Sequence, residues 1–231
     1  MTYANVCIIC ITAALMIASL PTRAQNTVPE QGPTVVLPSP KTEGTISVEK
    51  AIATRRSVRS YAADPVTLAE LSQLLWAAQG ITDASTGHRA APSAMAVYPL
   101  TIYAVAGNVS GLGAGVYKYT PKGHTITTIS LGDKRAELFA AGSRSQVKDA
   151  PMFIVIAADS AYASSRFGSK SAHFTDLEAG HVAENIYLQA GSLGLGTVSM
   201  AGFDAGRLKT ALAAPDTITP VYLMPVGRAK K

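Results

Sequence analysis

The stretch from Thr175 to Gly202, TDLEAGHVAENIYLQAGSLGLGTVSMAG, constrains this chain more than any other. Ala179, Val182, Ala183, Ile186, Ala190 and Leu193 recur at helical spacing, which predicts a long helix with one buried apolar face. Thr175 with Glu178 three residues on has the form of a capping box, and it would start the helix at Thr175. Glu178, His181, Asn185, Gln189 and Ser192 form a second, polar face. A face of small and polar residues suits close packing against a partner or a cofactor edge, and a hydrated side would look the same. Gly191, Gly194 and Gly196 then end the helix, and Thr197 to Met200 reads as extended.

Residues 1–24 have the pattern of a secretory signal. Val6 to Leu20 is apolar and uncharged, and Thr22 and Ala24 fit the small-residue cleavage rule. The run falls short of the ~20 residues of a comfortable membrane span, so a cleaved signal is the expectation and an uncleaved anchor the alternative. The n-region Met1 to Asn5 is atypical in having no Lys or Arg. Both cysteines, Cys7 and Cys10, lie inside the apolar run, so a mature chain would hold no disulfide and no thiolate. Residues 25–45, rich in Pro, Thr, Gly and Gln without a sustained period, read as a flexible leader. An exported location, periplasmic or secreted, follows as an expectation.

One domain over 46–231 remains, and burial alone must hold it together. Val48, Ala51 and Ile52 suit a short helix, and Thr67 with Glu70 is a second capping box. It opens a helix that buries Leu68, Leu71, Leu74, Leu75 and Ala78 and stops at Gly80, with a loop after it to Pro99. Strands are predicted at Leu100 to Val105, Val116 to Tyr119 and Thr125 to Ile129, the last two joined through Pro121-Lys122-Gly123. Lys134 to Ala141 is predicted helical, and the unbroken apolar run Met152 to Ala158 marks a strand covered on both faces. A short helix from Asp204 to Ala213 and a strand from Thr219 to Val226 close the chain. Helices and strands alternate without a clean βαβ repeat, so the class is α+β, or mixed α/β.

Candidate chemistry begins with Arg55, Arg56, Ser57 and Arg59. Three guanidiniums and a hydroxyl so close together can grip a phosphate through charge-assisted hydrogen bonds, or can simply complement a helix C-terminus. The formal charge of +5 is spread along the chain with few aromatics among the basic residues, which gives nucleic-acid binding little support. His181 and Glu184 lack the further ligands that zinc requires, so no metal site is expected. There is no Gly-x-Ser-x-Gly elbow, and no side chain reads as a catalytic nucleophile. Gly191-x-x-Gly194-x-Gly196 does not follow a strand and fails as a dinucleotide fingerprint.

In order along the chain come Arg55-Arg56-Ser57-Val58-Arg59, Ala91-Pro92-Ser93-Ala94 through Tyr98-Pro99-Leu100, and Gly115-Val116-Tyr117. Then follow Ala150-Pro151, Leu177 to His181, Asn185 to Ala190, Gly194-Leu195-Gly196, Gly202-Phe203 and Pro225-Val226-Gly227-Arg228. Over Ser47 to Lys231 this set resembles the FMN-dependent nitroreductase family, and most of all its SagB-type branch of azoline dehydrogenases.

The resemblance implies a homodimer, a mixed and mainly antiparallel sheet flanked by helices, and two FMN molecules at the subunit interface. Arg55, Arg56 and Ser57 would hold the FMN phosphate, with Gly227 and Arg228 arriving from the last strand. Arg59 would face the ribityl chain or the pyrimidine edge. Pro92, Ser93, Ala94 and Met95 would lie along the cofactor, and Ala201 and Gly202 would present backbone groups to the isoalloxazine. The implied activity is transfer of hydride or electrons to or from a small, flat, electron-poor substrate such as a nitroaromatic or a quinone, with the electron donor unspecified. Azoline oxidation in a peptide and a non-catalytic flavin-binding dimer are the alternatives. Two departures bear on them: Ala96 stands where many members have asparagine, and Arg166-Phe167 stands where azoline dehydrogenases carry Lys-Tyr. Phenylalanine has no ionisable hydroxyl, which puts the proton chemistry of azoline oxidation in doubt.

Overall fold

The apolar run that begins at Met152 is a strand buried from Met152 to Ala158, paired on both sides within a seven-stranded sheet. The computed structural model of the chain describes residues 32–142 and 149–230. The signal predicted over residues 1–24 lies outside the described residues. In chain order the elements are Thr34–Val36 (β1), Val48–Thr54 (α1), Val66–Thr67 (β2), Leu68–Gln79 (α2), Ile81–Asp83 (β3) and His88–Arg89 (β4). Leu100–Ala106 (β5), Val109–Ser110 (β6), Gly115–Thr120 (β7), Thr125–Leu131 (β8) and Arg135–Gly142 (α3) follow. Met152–Asp159 (β9), Ser160–Phe167 (α4), Ser171–Ser192 (α5), Gly196–Thr197 (β10), Ala205–Ala211 (α6) and Ile218–Gly227 (β11) complete the set.

The sheet order is β1-β8-β7-β5-β9-β11-β10, antiparallel between all neighbours. Strand periodicity splits the core in two. Ile102, Ala104, Ile154 and Ile156 project from β5 and β9 toward α2 and α5. Tyr103, Val105, Phe153 and Val155 project the other way, toward α3 and α6. Each fully buried aliphatic side chain in these layers contributes about 1.5–3 kcal/mol relative to exposure. The two helical layers on one antiparallel sheet give the α+β class expected from the sequence.

α2 keeps the predicted capping box: Thr67 N–H donates to Glu70 Oε2 at 2.8 Å, and Glu70 N–H donates to Thr67 Oγ1 at 3.2 Å. The capping box predicted at Thr175 is not formed. α5 begins at Ser171, because the 3-10 turn Gly168–Lys170 runs into it without a breaker, and Thr175 is buried a turn inside the helix. Its partner in that prediction, Glu178, instead accepts a hydrogen bond from Gln79 Nε2 on α2 at 3.0 Å.

The leader predicted over residues 25–45 is corrected as well. Among its described residues, Thr34–Val36 pairs with Thr125–Thr127 of β8 and closes that edge of the sheet. Leu37 is buried, and Gln73 holds Lys41 through both its backbone N–H and its carbonyl. A three-residue edge strand carries too little period to be read from sequence. The loop predicted after Gly80 contains a hairpin, β3 with β4, tightened by Asp83 accepting from Ser85 N–H at 2.9 Å.

α5 presents four sides. Ala179, Val182, Ala183, Ile186 and Ala190 face the sheet as predicted. The polar face turns onto α2 of the same chain, where Asn185 Nδ2 donates to the Ala77 carbonyl and Gln73 Nε2 donates to Gln189 Oε1, both at 3.0 Å. Nine residues from Glu178 to Tyr187 is two and a half turns, so Tyr187 points roughly 180° away from Glu178. The fourth side, with Leu177, Gly180, Glu184 and Gly191, is exposed. Gly194, at φ +70°, adopts the left-handed conformation that stops the helix.

Candidate functional site

α1 ends where Arg55 leaves helical dihedrals at φ −52°, ψ 125°, and the chain then runs beside β10. Val58 N–H donates to the Thr197 carbonyl at 2.9 Å, and Ser57 pairs with Thr197 in a parallel bridge. That approach requires glycine at 196, because a Cβ there would lie 2.5 Å from Val58 Cγ2. Gly227 stands opposite Gly196 in the ladder.

Tyr187 organises this edge. Its hydroxyl lies 3.1 Å from Ser57 Oγ and accepts the Ser199 N–H at 2.9 Å. The Arg55 guanidinium sits over the Tyr187 ring, 5.1 Å from its centroid, and 4.0 Å from Glu184. Arg56 folds back on the end of α1, donating to the carbonyls of Ala53 and Arg55. Arg59 is exposed, with one 3.5 Å contact to the Ser57 carbonyl. A cleft of about 100 Å³ opens between Arg55, Arg56, Tyr187, Gly191, Gly196 and Thr197. Thr197 Oγ1 beside it is buried without a hydrogen-bond partner among the described residues. From Ser199 the chain passes the Met200–Leu223 bridge to Ala201 and Gly202, both exposed.

This edge therefore unites Arg55, Arg56, Ser57 and Arg59 with the segment leading to Ala201 and Gly202. Cationic donors, a hydroxyl and an orphaned buried hydroxyl around one cleft fit a phosphorylated, hydroxyl-bearing ligand such as FMN.

The segment Pro92 to Met95 lies elsewhere, on the Glu178 side of α5. Met95, Ala96 and Tyr98 all have φ of 52°, a left-handed conformation that costs a non-glycine residue about 1–3 kcal/mol. Pro92, Met95 and Ala96 are exposed, and Met95 is the most so at 72%. Strain concentrated in an exposed turn makes this segment a candidate for function. One protomer does not bring this turn to the arginine edge.

Arg228 departs from its expected place in the phosphate grip. Its guanidinium donates to Glu70 Oε1 at 2.8 Å and to the Pro65 carbonyl at 3.3 Å, which ties the end of β11 to the start of α2. The nearby carboxylate, already organised by the capping box, is the reason. Tyr187 and Thr197 are the site residues that sequence reasoning missed. The available signal was that Tyr187 is the one Phe, Trp or Tyr between Thr175 and Gly202, a bulky phenol among small residues.

A family profile for the Nitroreductase family matches residues 52–228, and the chain belongs to that family. It is similar to a Methanocaldococcus jannaschii protein described as a candidate nitroreductase, with 41% identity over 184 residues, 79% of this chain and 91% of the other. The crystal structure of a candidate nitroreductase from Ralstonia eutropha superposes with a TM-score of 0.73 at 27% identity, over 86% of this chain and 90% of that one. The Escherichia coli microcin synthetase McbBCD complex shares the fold, with a TM-score of 0.67 at 17% identity over 85% of this chain and 78% of that one. The fold is thus nitroreductase-like, and the class is an oxidoreductase family whose members typically bind a flavin. No helix among the described residues is long and apolar enough to cross a membrane.

Proposed function

We propose that the chain is an FMN-dependent oxidoreductase that exchanges hydride or electrons with a small, flat, electron-poor substrate such as a nitroaromatic or a quinone. The observation that carries this reading is the arginine edge: Arg55 stacked on Tyr187, Ser57 bonded to it, and the cleft and orphaned Thr197 hydroxyl between them. Arg55, Arg56 and Ser57 would hold the phosphate, the Thr197 hydroxyl would be free to bond a ligand hydroxyl, and Arg59 on the same segment would add positive charge. The flavin supplies the redox chemistry when bound, and the protein contributes position and positive charge. That charge favours an anionic reduced cofactor.

Assembly is part of the proposal. The arginine edge and the strained turn lie on opposite sides of α5 within one protomer, so a second copy brings its own turn to the edge. The exposed side of α5, with Leu177, Gly180 and Gly191, and the exposed Val48 and Ile52 of α1 supply an apolar seam for that homodimer.

Kinship with the SagB-type branch belongs to the same proposal and rests on the joint order of the whole motif set from Arg55 to Arg228. Azoline oxidation is not proposed: Phe167 packs edge-on against Phe174 at 5.2 Å and has no hydroxyl to move a proton. Export, from the apolar run Val6 to Leu20, belongs to the same proposal, and N-terminal sequencing of the secreted protein checks it.

The test is direct. Purified protein should be yellow and release FMN on denaturation, and apoprotein should bind FMN stoichiometrically in a fluorescence titration. Colourless protein that fails to take up FMN overturns the reading.

A further inference from the structure

Five side chains close a ring of contacts beneath the strained turn. Glu178 of α5 accepts from Gln79 Nε2 at 3.0 Å, and the Ser93 side chain lies beside its carboxylate. Ser93 Oγ accepts the Tyr98 N–H at 2.8 Å. The Tyr98 hydroxyl accepts the Arg89 N–H at 3.2 Å, and the Arg89 guanidinium lies over the Tyr98 ring at 4.5 Å. Arg89 Nη1 donates to Gln79 Oε1 at 3.1 Å, which closes the ring. Gln79 and Glu178 are 1% and 2% exposed, so the ring is built on a dry floor.

The geometry has a direction. Ser93 and Tyr98 are the two ends of the turn whose residues Met95, Ala96 and Tyr98 carry φ of 52°. A turn of non-glycine residues in the left-handed region relaxes unless its ends are clamped. The two ends are tied to each other by the Tyr98 N–H on Ser93 Oγ, and hydrogen bonds through Tyr98, Arg89 and Gln79 lead back to the Glu178 carboxylate, beside which Ser93 lies. Burial raises the Glu178 carboxyl above its ordinary range, while Ser93, Gln79 and the charge of Arg89 oppose that rise. A buried acid in that position is costly unless its hydrogen bonds are used.

We propose that Glu178 is a positioning residue: through Ser93 at one end, and through Gln79, Arg89 and Tyr98 at the other, it holds the turn over residues 93–98 in the conformation that meets the flavin. The last clause rests on the FMN reading above; the clamp itself does not.

The experiment compares full-length wild type with Glu178→Gln, Glu178→Ala and Tyr98→Phe by amide hydrogen exchange and by FMN titration. Gln189→Ala, on the same face of α5 but bonded to Gln73 and Ser192, is the control for general weakening of the helix. The amides of Ala96, Val97 and Tyr98, bonded to Ser93 and Ala94, report the turn, and those of β9 report the core. In both Glu178 variants and in Tyr98→Phe the turn amides should exchange about tenfold faster, with β9 unchanged, on the scale of one lost hydrogen bond. FMN affinity should fall with them, and Gln189→Ala should move neither. Turn amides that keep wild-type exchange in Glu178→Gln overturn the proposal, whatever FMN affinity does. Faster turn exchange with unchanged FMN affinity upholds the clamp and overturns the placement of flavin on the turn. Should Glu178→Ala fail to fold, Glu178→Gln and Tyr98→Phe decide the matter alone.

Discussion

The hydroxyl of Tyr187 sits 3.1 Å from that of Ser57 and takes the backbone N–H of Ser199, so one phenol joins the segment after α1 to the segment after β10. Tyr187→Phe leaves the half-buried Ser199 N–H without its partner, at a cost of about 1 kcal/mol. It also lets Ser57 turn. The expected result is a lower thermal midpoint together with weaker FMN binding, read by calorimetry and fluorescence titration.

Arg55 and Arg228, grouped by sequence, should separate by experiment. Arg55→Ala should weaken FMN binding by about 1.5–3 kcal/mol, the range of a charged hydrogen bond, and barely change stability. Arg228→Ala removes the pair with Glu70 and the bond to Pro65, so about 1 kcal/mol of stability is expected to go, with a smaller change in FMN affinity. Denaturant midpoints and flavin titrations of the two variants make the comparison.

The segment before α1 carries stability. Leu37 is 4% exposed, and its N–H donates to the His124 carbonyl at 3.1 Å. Leu37→Ala should cost about 2–5 kcal/mol, as for other buried leucines. A truncation starting at residue 46 should lose at least as much by urea denaturation, since β1 goes with it.

His124 sets a pH dependence. Ser72 Oγ donates to the Pro38 carbonyl at 2.6 Å and so takes the His124 Nε2–H at 2.7 Å, while the Tyr119 hydroxyl lies 2.8 Å from Nδ1. Burial of the imidazole lowers its pKa below the ordinary 6.5. The folded form binds fewer protons than the unfolded one, so this stabilisation is present above about pH 6.5 and is lost as pH falls toward the folded pKa. Glu178, raised by burial, acts in the opposite sense, its contribution falling as pH rises above about 4.5. His124→Gln should remove the loss of thermal midpoint that the wild type shows as pH falls below about 6.5, while leaving the opposite Glu178 contribution in place.

The sheet core was legible because Met152 to Ala158 and Leu100 to Val105 are apolar enough to demand cover on both faces, and α2 because its capping box is local. The arginine cluster was legible as chemistry for the same local reason. What sequence could not supply was pairing across distance. Thr175 and Glu178 have capping-box spacing, yet Gln79, 99 residues away, claims the carboxylate. Arg228 likewise belongs to Glu70, and Tyr187 gains its role only when Ser57 and Ser199 reach it. Each of these is a tertiary choice among partners that local spacing treats as equal.

The half-turn that separates Glu178 from Tyr187 along α5 has a consequence that genetics can read. Under the proposed assembly each flavin site borrows its arginine edge from one copy and its strained turn from the other. A copy disabled at Arg55 and a copy disabled at Tyr98 therefore cure each other: their mixed pair places both lesions in one site and leaves its twin whole. Co-expression of the two variants with random pairing should restore roughly a quarter of the wild-type sites, although neither variant alone has any, as the two-fold symmetry of a dimer requires. Were each site made by a single copy, mixing would restore nothing.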